Sequence, residues 1–192
     1  MEDKSELRKR MRATRRDHVA TLPDSVRALL FMRPPGPVAE LAAKGSTVGL
    51  YSAHPVEAPT LSYASWFFEN GRTLALPWFE DRDAPMEFRA WENPFDEDAL
   101  ETGPFGILQP AAGSATAVPH LAMVPLLAFT EDGIRLGQGG GHYDRWLEAN
   151  PGAIPVGMAW DCQLVDELPA EPHDVPLHAV VTPTRLYLTT EG

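Results

Sequence analysis

The stretch RLGQGGGHYDRW, residues 135–146, sets Gly137, Gly139, Gly140 and Gly141 beside Arg135, Asp144 and Arg145. Glycines reach backbone conformations closed to other residues, and their N–H groups approach a ligand without side-chain obstruction. A run of such amides leading into a helix start forms a nest for an anion, phosphate above all. One or two glycines suffice for a tight turn, and three in succession after a fourth exceed that need. The stretch is not a P-loop, since it has neither the lysine nor the Ser/Thr of that motif. His142 stands where a dinucleotide fingerprint requires glycine. Positive charge for a phosphate must therefore come from Arg135 and Arg145, from a basic element elsewhere, or from a metal held by Asp144. A carboxylate at a helix start beside a phosphate nest suits Mg²⁺, which takes one or two carboxylates plus phosphate oxygens. The plain alternative is an acidic residue that satisfies the helix dipole.

A basic element does exist at the start of the chain. Residues 1–33 carry a net charge of +4 and the remainder −15, which together give −11 over 192 residues. Good helix formers predict a basic helix over residues 4–20, with Leu7, Met11 and Val19 on its apolar face and Lys4, Arg8 and Arg12 along another. Such a face can serve a small anion or be merely solvated. The acidic total argues against nucleic acid as the main partner. No run approaches the roughly 18 apolar residues of a membrane span, and no secretory signal is evident, so a soluble, cytoplasmic protein is expected. The lone Cys162 cannot form an internal disulfide and reads as a packing residue.

The elements that must position these groups alternate between strand and helix. SVRALLFM and PVAELAAKG read as short helices, TVGLYS as a strand, TLSYASWFFENG as a helix and RTLALPW as a strand. Residues 79–117 form a long irregular excursion, with MEFRAW its one plausible strand. HLAMVPLLAFT reads as a buried strand, HYDRWLEA as a helix, and IPVGMAW and HAVVTP as two further buried strands. The expectation is one α/β domain over residues 1–192: three α/β/α layers with a largely parallel, Rossmann-like sheet. The glycine-rich loop, residues 135–145, would leave a buried strand and enter a helix, which is where such sheets place ligands.

At LLAFTEDGIRLGQGGGHYDRWL the chain resembles the 5-formyltetrahydrofolate cyclo-ligase family, also called methenyltetrahydrofolate synthetases. KSELRKRMR resembles that family's opening helix, ETGPFGILQP its Gly-Ile-x-x-Pro element and DCQLVDELPAEPHDVPLHAVVTP its C-terminal signature. The resemblance implies ATP- and Mg²⁺-dependent conversion of 5-formyltetrahydrofolate to 5,10-methenyltetrahydrofolate, with phosphorylation of the formyl oxygen, ring closure by N10 and release of ADP and phosphate. It implies phosphate contacts for Lys4 and Arg8, and a nucleotide loop comprising Arg135, Leu136, Gly137, Gln138, Gly139, Gly140, Gly141, His142 and Tyr143. Arg135, Tyr143 and Arg145 become candidates for contacts with the reacting groups. Asp144 and Asp174 match two Mg²⁺ carboxylates; read locally, Asp174 is only part of a turn. Tyr51, Ser52 and Glu57 fall at the folate segment, together with Tyr143. Glu57 suits the amino and N–H donors of a pterin. Phe105 matches an aromatic wall, although a phenylalanine there is more often core. A monomer is expected.

The chain departs from the family at His142, where relatives place tyrosine or phenylalanine, and at Gln138 and Gly140, where some carry basic residues. His178 replaces a common aspartate. Imidazole can still stack or hydrogen-bond, so the reaction class survives these changes. The competing readings are a non-catalytic folate- or nucleotide-binding relative of the same fold and, from fold analogy alone, a sugar-phosphate isomerase or acyl-CoA transferase.

Overall fold

The computed structural model describes residues 3–169, 171 and 174–189. Asp3 caps the first helix by accepting from the Ser5 amide, and α1 then runs Lys4–Thr21. Its buried residues are Leu7, Met11, Arg15 and Val19, a stripe at four-residue spacing. α2 (Asp24–Arg27) and α3 (Gly36–Glu40) follow, then β1 (Thr47–Gly49), α4 (Leu61–Glu69), β2 (Thr73–Trp78) and β3 (Glu87–Trp91). Beyond them lie β4 (Leu100–Thr102), β5 (Leu108–Pro110), β6 (Thr116–Ala117), β7 (Leu121–Pro125), β8 (Ala128–Phe129) and β9 (Arg135–Leu136). The chain closes with α5 (His142–Ala149), β10 (Ile154–Met158), β11 (Ala179–Val181) and β12 (Leu186–Leu188).

Eight strands make the main sheet in the order β12-β11-β10-β7-β1-β2-β3-β6. The five central strands, β11 to β2, are mutually parallel, while β12, β3 and β6 run antiparallel to their neighbours at the two edges. Side chains alternate across this sheet. Leu74, Leu76, Leu121, Met123, Val156 and Met158 pack on one face with Val38 of α3 and Tyr63, Ala64 and Phe67 of α4. Ala75, Ala122 and Phe88 meet Trp146 and Leu147 of α5 on the other. Helices thus cover both faces of a mostly parallel sheet, as alternating elements require.

Three departures from the sequence reading have physical reasons. SVRALLFM forms only the four-residue α2, because Phe31 adopts a left-handed φ of +55°. That turn sends its ring into the core, edge-on to Tyr63 and Trp160 at centroid distances of 6.3 and 5.4 Å. Burying such a ring is worth about 1.5–3 kcal/mol, enough to offset the left-handed residue. The stretch 79–117 is less irregular than expected. β3 and β6 extend the main sheet, and β4 pairs with β5 as a separate hairpin. Finally, HLAMVPLLAFT is not one strand: β7 ends at Pro125, and β8 folds back on β9 in a two-stranded unit. The glycine loop therefore leaves this small hairpin rather than the main sheet.

The hairpin has a structural task. Leu127, Ala128 and Leu136 form a small cluster with Leu7 and Met11, which fastens α1 beside the loop that follows β9.

Candidate functional site

Chain direction reverses at the centre of the sheet. From β1 the chain moves through α4 to β2 on one side, whereas β7 leads to β10 and β11 on the other. The C-terminal ends of β1 and β7 flank this switch point, where parallel sheets leave a crevice. A cavity of about 710 Å³ opens there, lined by Tyr51 and Ser52 after β1, Pro77 and Phe79 at the end of β2, and Pro125 at the end of β7. Its apolar wall continues through Met86, Ile107 and Leu108, and its polar wall comes from α1, Glu57 and the glycine loop. Size and composition match a small-molecule site.

The glycine loop needs its glycines at two positions for conformation, Gly139 at φ +112° and Gly141 at φ +64°; Gly137 and Gly140 have no such requirement. Gly141 is the N-cap of α5, and no side chain among the described residues caps that helix. α1 holds the loop through its basic face: Arg8 Nε donates to Gly137 O at 3.1 Å and an Arg12 Nη to Gln138 O at 2.8 Å. From the far side Arg145 donates to Gly140 O at 2.8 Å.

Arg135 pairs with one acidic candidate and reaches the backbone beside the other. Its buried guanidinium donates to Asp144 Oδ1 at 2.7 Å and to the carbonyl of Val175, the residue after Asp174, at 3.0 Å. Lys4 lies 3.3 Å from Asp174 and 2.9 Å from Glu171. The Lys4–Asp174 pair, 170 residues apart in the chain, and the Arg135–Asp144 pair are thus joined only through the adjoining residues Asp174 and Val175. No group of three or more His, Cys, Asp or Glu suited to a metal occurs among the described residues. Two carboxylates are nonetheless the usual protein share of a Mg²⁺ ion that arrives with phosphates.

On the same polar wall Glu57 accepts from the His54 amide at 2.9 Å and from the Gln138 carboxamide at 3.1 Å, with Arg15 at 3.6 Å. The Gln138 contact joins the glycine loop to the segment after β1. Burial pushes the Tyr143 phenol well above its ordinary range, and the Glu57 charge adds to that. Its hydroxyl is buried without a hydrogen-bond partner among the described residues. Burial, then Glu57, likewise raises Tyr51, whose hydroxyl donates to Ala58 O at 2.6 Å. Burial lowers the pKa of Arg15, while Glu57 opposes that effect. At the rim Phe79, Phe105 and His142 meet edge to face, with centroids 4.9 to 5.6 Å apart.

The cavity thus gathers Tyr51, Ser52, Glu57, Phe105, Arg135, Gly137, Gln138, Gly140, Gly141, His142, Tyr143 and Asp144. Phe105 is 39 % exposed and faces the cavity, so the core alternative does not hold for it. Lys4, Arg8, Gly139, Arg145 and Asp174 stand behind or beside the lining, and the Leu136 side chain is buried against α1. Trp78, Phe79, Trp91, Trp146 and Trp160 are all buried, and Phe79 alone of these lines the cavity. Sequence reading missed Arg15. The signal was present, because a cation occupies the i+4 step between Met11 and Val19 on the apolar stripe of α1.

Residues 1–183 match the family model of the 5-formyltetrahydrofolate cyclo-ligase family. The 5-formyltetrahydrofolate cyclo-ligase of Mycolicibacterium smegmatis is 30 % identical over 187 residues, covering 95 % of this chain and 94 % of that protein. The enzyme of that name from Escherichia coli is 54 % identical over 67 residues, a match that spans 34 % of this chain and only 37 % of its own length. Among solved structures, the 5,10-methenyltetrahydrofolate synthetase of Aquifex aeolicus superposes with a TM-score of 0.74 at 26 % identity, over 98 % of this chain and 94 % of that one. The synthetase from Mycoplasma pneumoniae, at 24 % identity and a TM-score of 0.65, shares the fold over 93 % of this chain and 98 % of that one.

Proposed function

Because the chain belongs to the 5-formyltetrahydrofolate cyclo-ligase family, we propose that it converts 5-formyltetrahydrofolate to 5,10-methenyltetrahydrofolate, using ATP and releasing ADP and phosphate. One observation supports this above the others. A single cavity is lined both by the glycine-rich loop, Gly137 to His142 at a helix start, and by a part-buried carboxylate, Glu57, beside an apolar wall. Groups suited to phosphate and to pterin recognition thus share the space in which an oxygen must be phosphorylated.

The reaction requires charge neutralisation and alignment more than a protein nucleophile. In this reading the amides of Gly139 to Tyr143 hold the nucleotide phosphates, with Lys4 and Arg8 supplying positive charge behind them. Arg135 keeps Asp144 oriented at the cavity wall, and Asp144 and Asp174 are the residues that would hold Mg²⁺. When bound, the ion supplies neutralisation of phosphate charge. Glu57 accepts from the amino and N–H groups of the pterin, while the apolar wall of Phe79, Met86, Ile107 and Leu108 receives its ring and excludes water. The formyl oxygen is phosphorylated, N10 closes on the activated carbon, and phosphate departs, so a poor oxygen leaving group has become a good one. A cytoplasmic monomer is part of the same proposal, and no helix among the described residues is long and apolar enough to cross a membrane.

Ligand protection against thermal unfolding tests the two kinds of recognition separately. ATP with Mg²⁺ and 5-formyltetrahydrofolate should each raise Tm, since ligand at about 100 times Kd adds about 2.7 kcal/mol. Protection by a sugar phosphate or a CoA ester, with none from the folate, would overturn the reading.

A further inference from the structure

Two arginines in this fold invite comparison. Arg72 is a structural arginine: Nε and one Nη donate to Ala42 O at 2.9 and 2.7 Å, and the remaining bonds go to Asn70 O at 2.7 Å and Ala39 O at 3.3 Å. Arg15 is more deeply buried, at 5 % exposure, yet is far less satisfied. Of its five N–H donors, only Nη1 has an acceptor among the described residues, Leu126 O at 3.4 Å. That oxygen already accepts from Gln163 at 2.8 Å. The Glu57 contact, at 3.6 Å, is an ion pair beyond hydrogen-bonding range, and Nε is buried with no partner among the described residues. A buried guanidinium with most of its donors unfilled is costly, and groups of this kind point to a missing acceptor. Arg72 lies away from the cavity, whereas Arg15 lines it.

The chemistry of the missing acceptor follows from the neighbour. A carboxylate beside a guanidinium presents two acceptors next to a row of donors. A 2-amino-4-oxopteridine carries the complementary edge: the 2-amino and N3–H donors, then the 4-oxo acceptor. We infer that Arg15 is a specificity residue that donates from its cavity-facing edge to the 4-oxo oxygen of the pterin whose amino and N3–H groups face Glu57. This rests on the folate reading of the cavity. It assigns Arg15 the discrimination between 4-oxo pterins and 2,4-diamino analogues, which put an amino donor opposite the cation.

The test is equilibrium titration of the full chain, with a non-hydrolysable ATP analogue and Mg²⁺ present, against 5-formyltetrahydrofolate and its 2,4-diamino counterpart. Tryptophan fluorescence can report binding, since the Trp160 indole donates to Val56 O, next to Glu57. Wild type should favour the 4-oxo ligand. Arg15→Met should weaken 4-oxo binding by about 10- to 100-fold, the worth of a hydrogen bond to a charged group, without weakening the diamino ligand. Arg15→Lys, which keeps the cation and disturbs the fold less, should lie between the two. Equal weakening of both ligands, or no change in their ratio in either variant, would overturn the assignment and leave Arg15 holding only the shape of the wall. Wild type that binds neither ligand would instead overturn the folate reading itself, visible without any variant.

Discussion

His142 sits edge-on to Phe79 and Phe105, with Arg145 3.2 Å from its Nδ1. Burial first, and the Arg145 charge second, lower its pKa below the ordinary 6.5. The unfolded chain therefore binds this proton more readily than the folded one. The stability it contributes is complete above pH 6.5 and is lost as the pH falls through the interval below that value. NMR titration of the His142 ring should give a midpoint below 6.5, and His142→Phe should remove that interval from the stability profile while keeping the rim contacts. A midpoint above 6.5 would contradict the burial. Asp144 offers a second residue-level prediction. Its carboxylate both faces the cavity and satisfies buried Arg135, so Asp144→Asn should have two separable effects. Urea unfolding should show a loss of about 1–3 kcal/mol, the cost of weakening a hydrogen bond to a charged group. Turnover at limiting Mg²⁺ should fall more than tenfold; unchanged turnover would remove Asp144 from the metal site. Neither partnership was legible locally. Asp174 in particular is a turn residue until Lys4, 170 positions away, is folded against it.

Between residues and whole molecule, α1 and the β8–β9 hairpin act as one support for the glycine loop. Met11 is 1 % exposed in their shared cluster, so Met11→Ala should cost about 2–5 kcal/mol and raise the KM for ATP, because Lys4 and Arg8 lose their footing. Denaturant unfolding and steady-state kinetics on the same variant check both parts. Within the loop, a Cβ on Gly137 would meet nothing within 4 Å, and its φ is ordinary. Gly137→Ala should therefore leave Tm unchanged and still raise the KM for ATP, since only a close-lying ligand demands glycine there. An unchanged KM would place the nucleotide elsewhere. The amphipathic stripe of α1 and the apolar helix α4 could be read from spacing. The hairpin could not, because two-residue strands have no period to detect. α2 stopped early for a reason invisible to propensity, the burial of the Phe31 ring through a left-handed turn.

Across the whole chain, a protein of net charge −11 gathers Arg12, Arg15 and Arg135 at one crevice and stations Lys4 and Arg8 just behind it. Strand and helix alternation predicted a mostly parallel sheet, and β-branched and apolar runs marked its central strands. The antiparallel edges β3, β6 and β12 were less legible, since their direction depends on pairing rather than on local composition. Glu57 and Gln138, from segments some 80 residues apart, meet on the cavity's polar wall, a contact that a linear reading could not bring together. The central claim is that the glycine loop and Glu57 serve one reaction. It is tested most directly by mixing the purified chain with (6S)-5-formyltetrahydrofolate, ATP and Mg²⁺, and following methenyltetrahydrofolate absorbance while each is omitted in turn. The account predicts a signal that requires all three. Folded protein that ATP protects from unfolding, yet that gives no absorbance with the complete mixture, would contradict it.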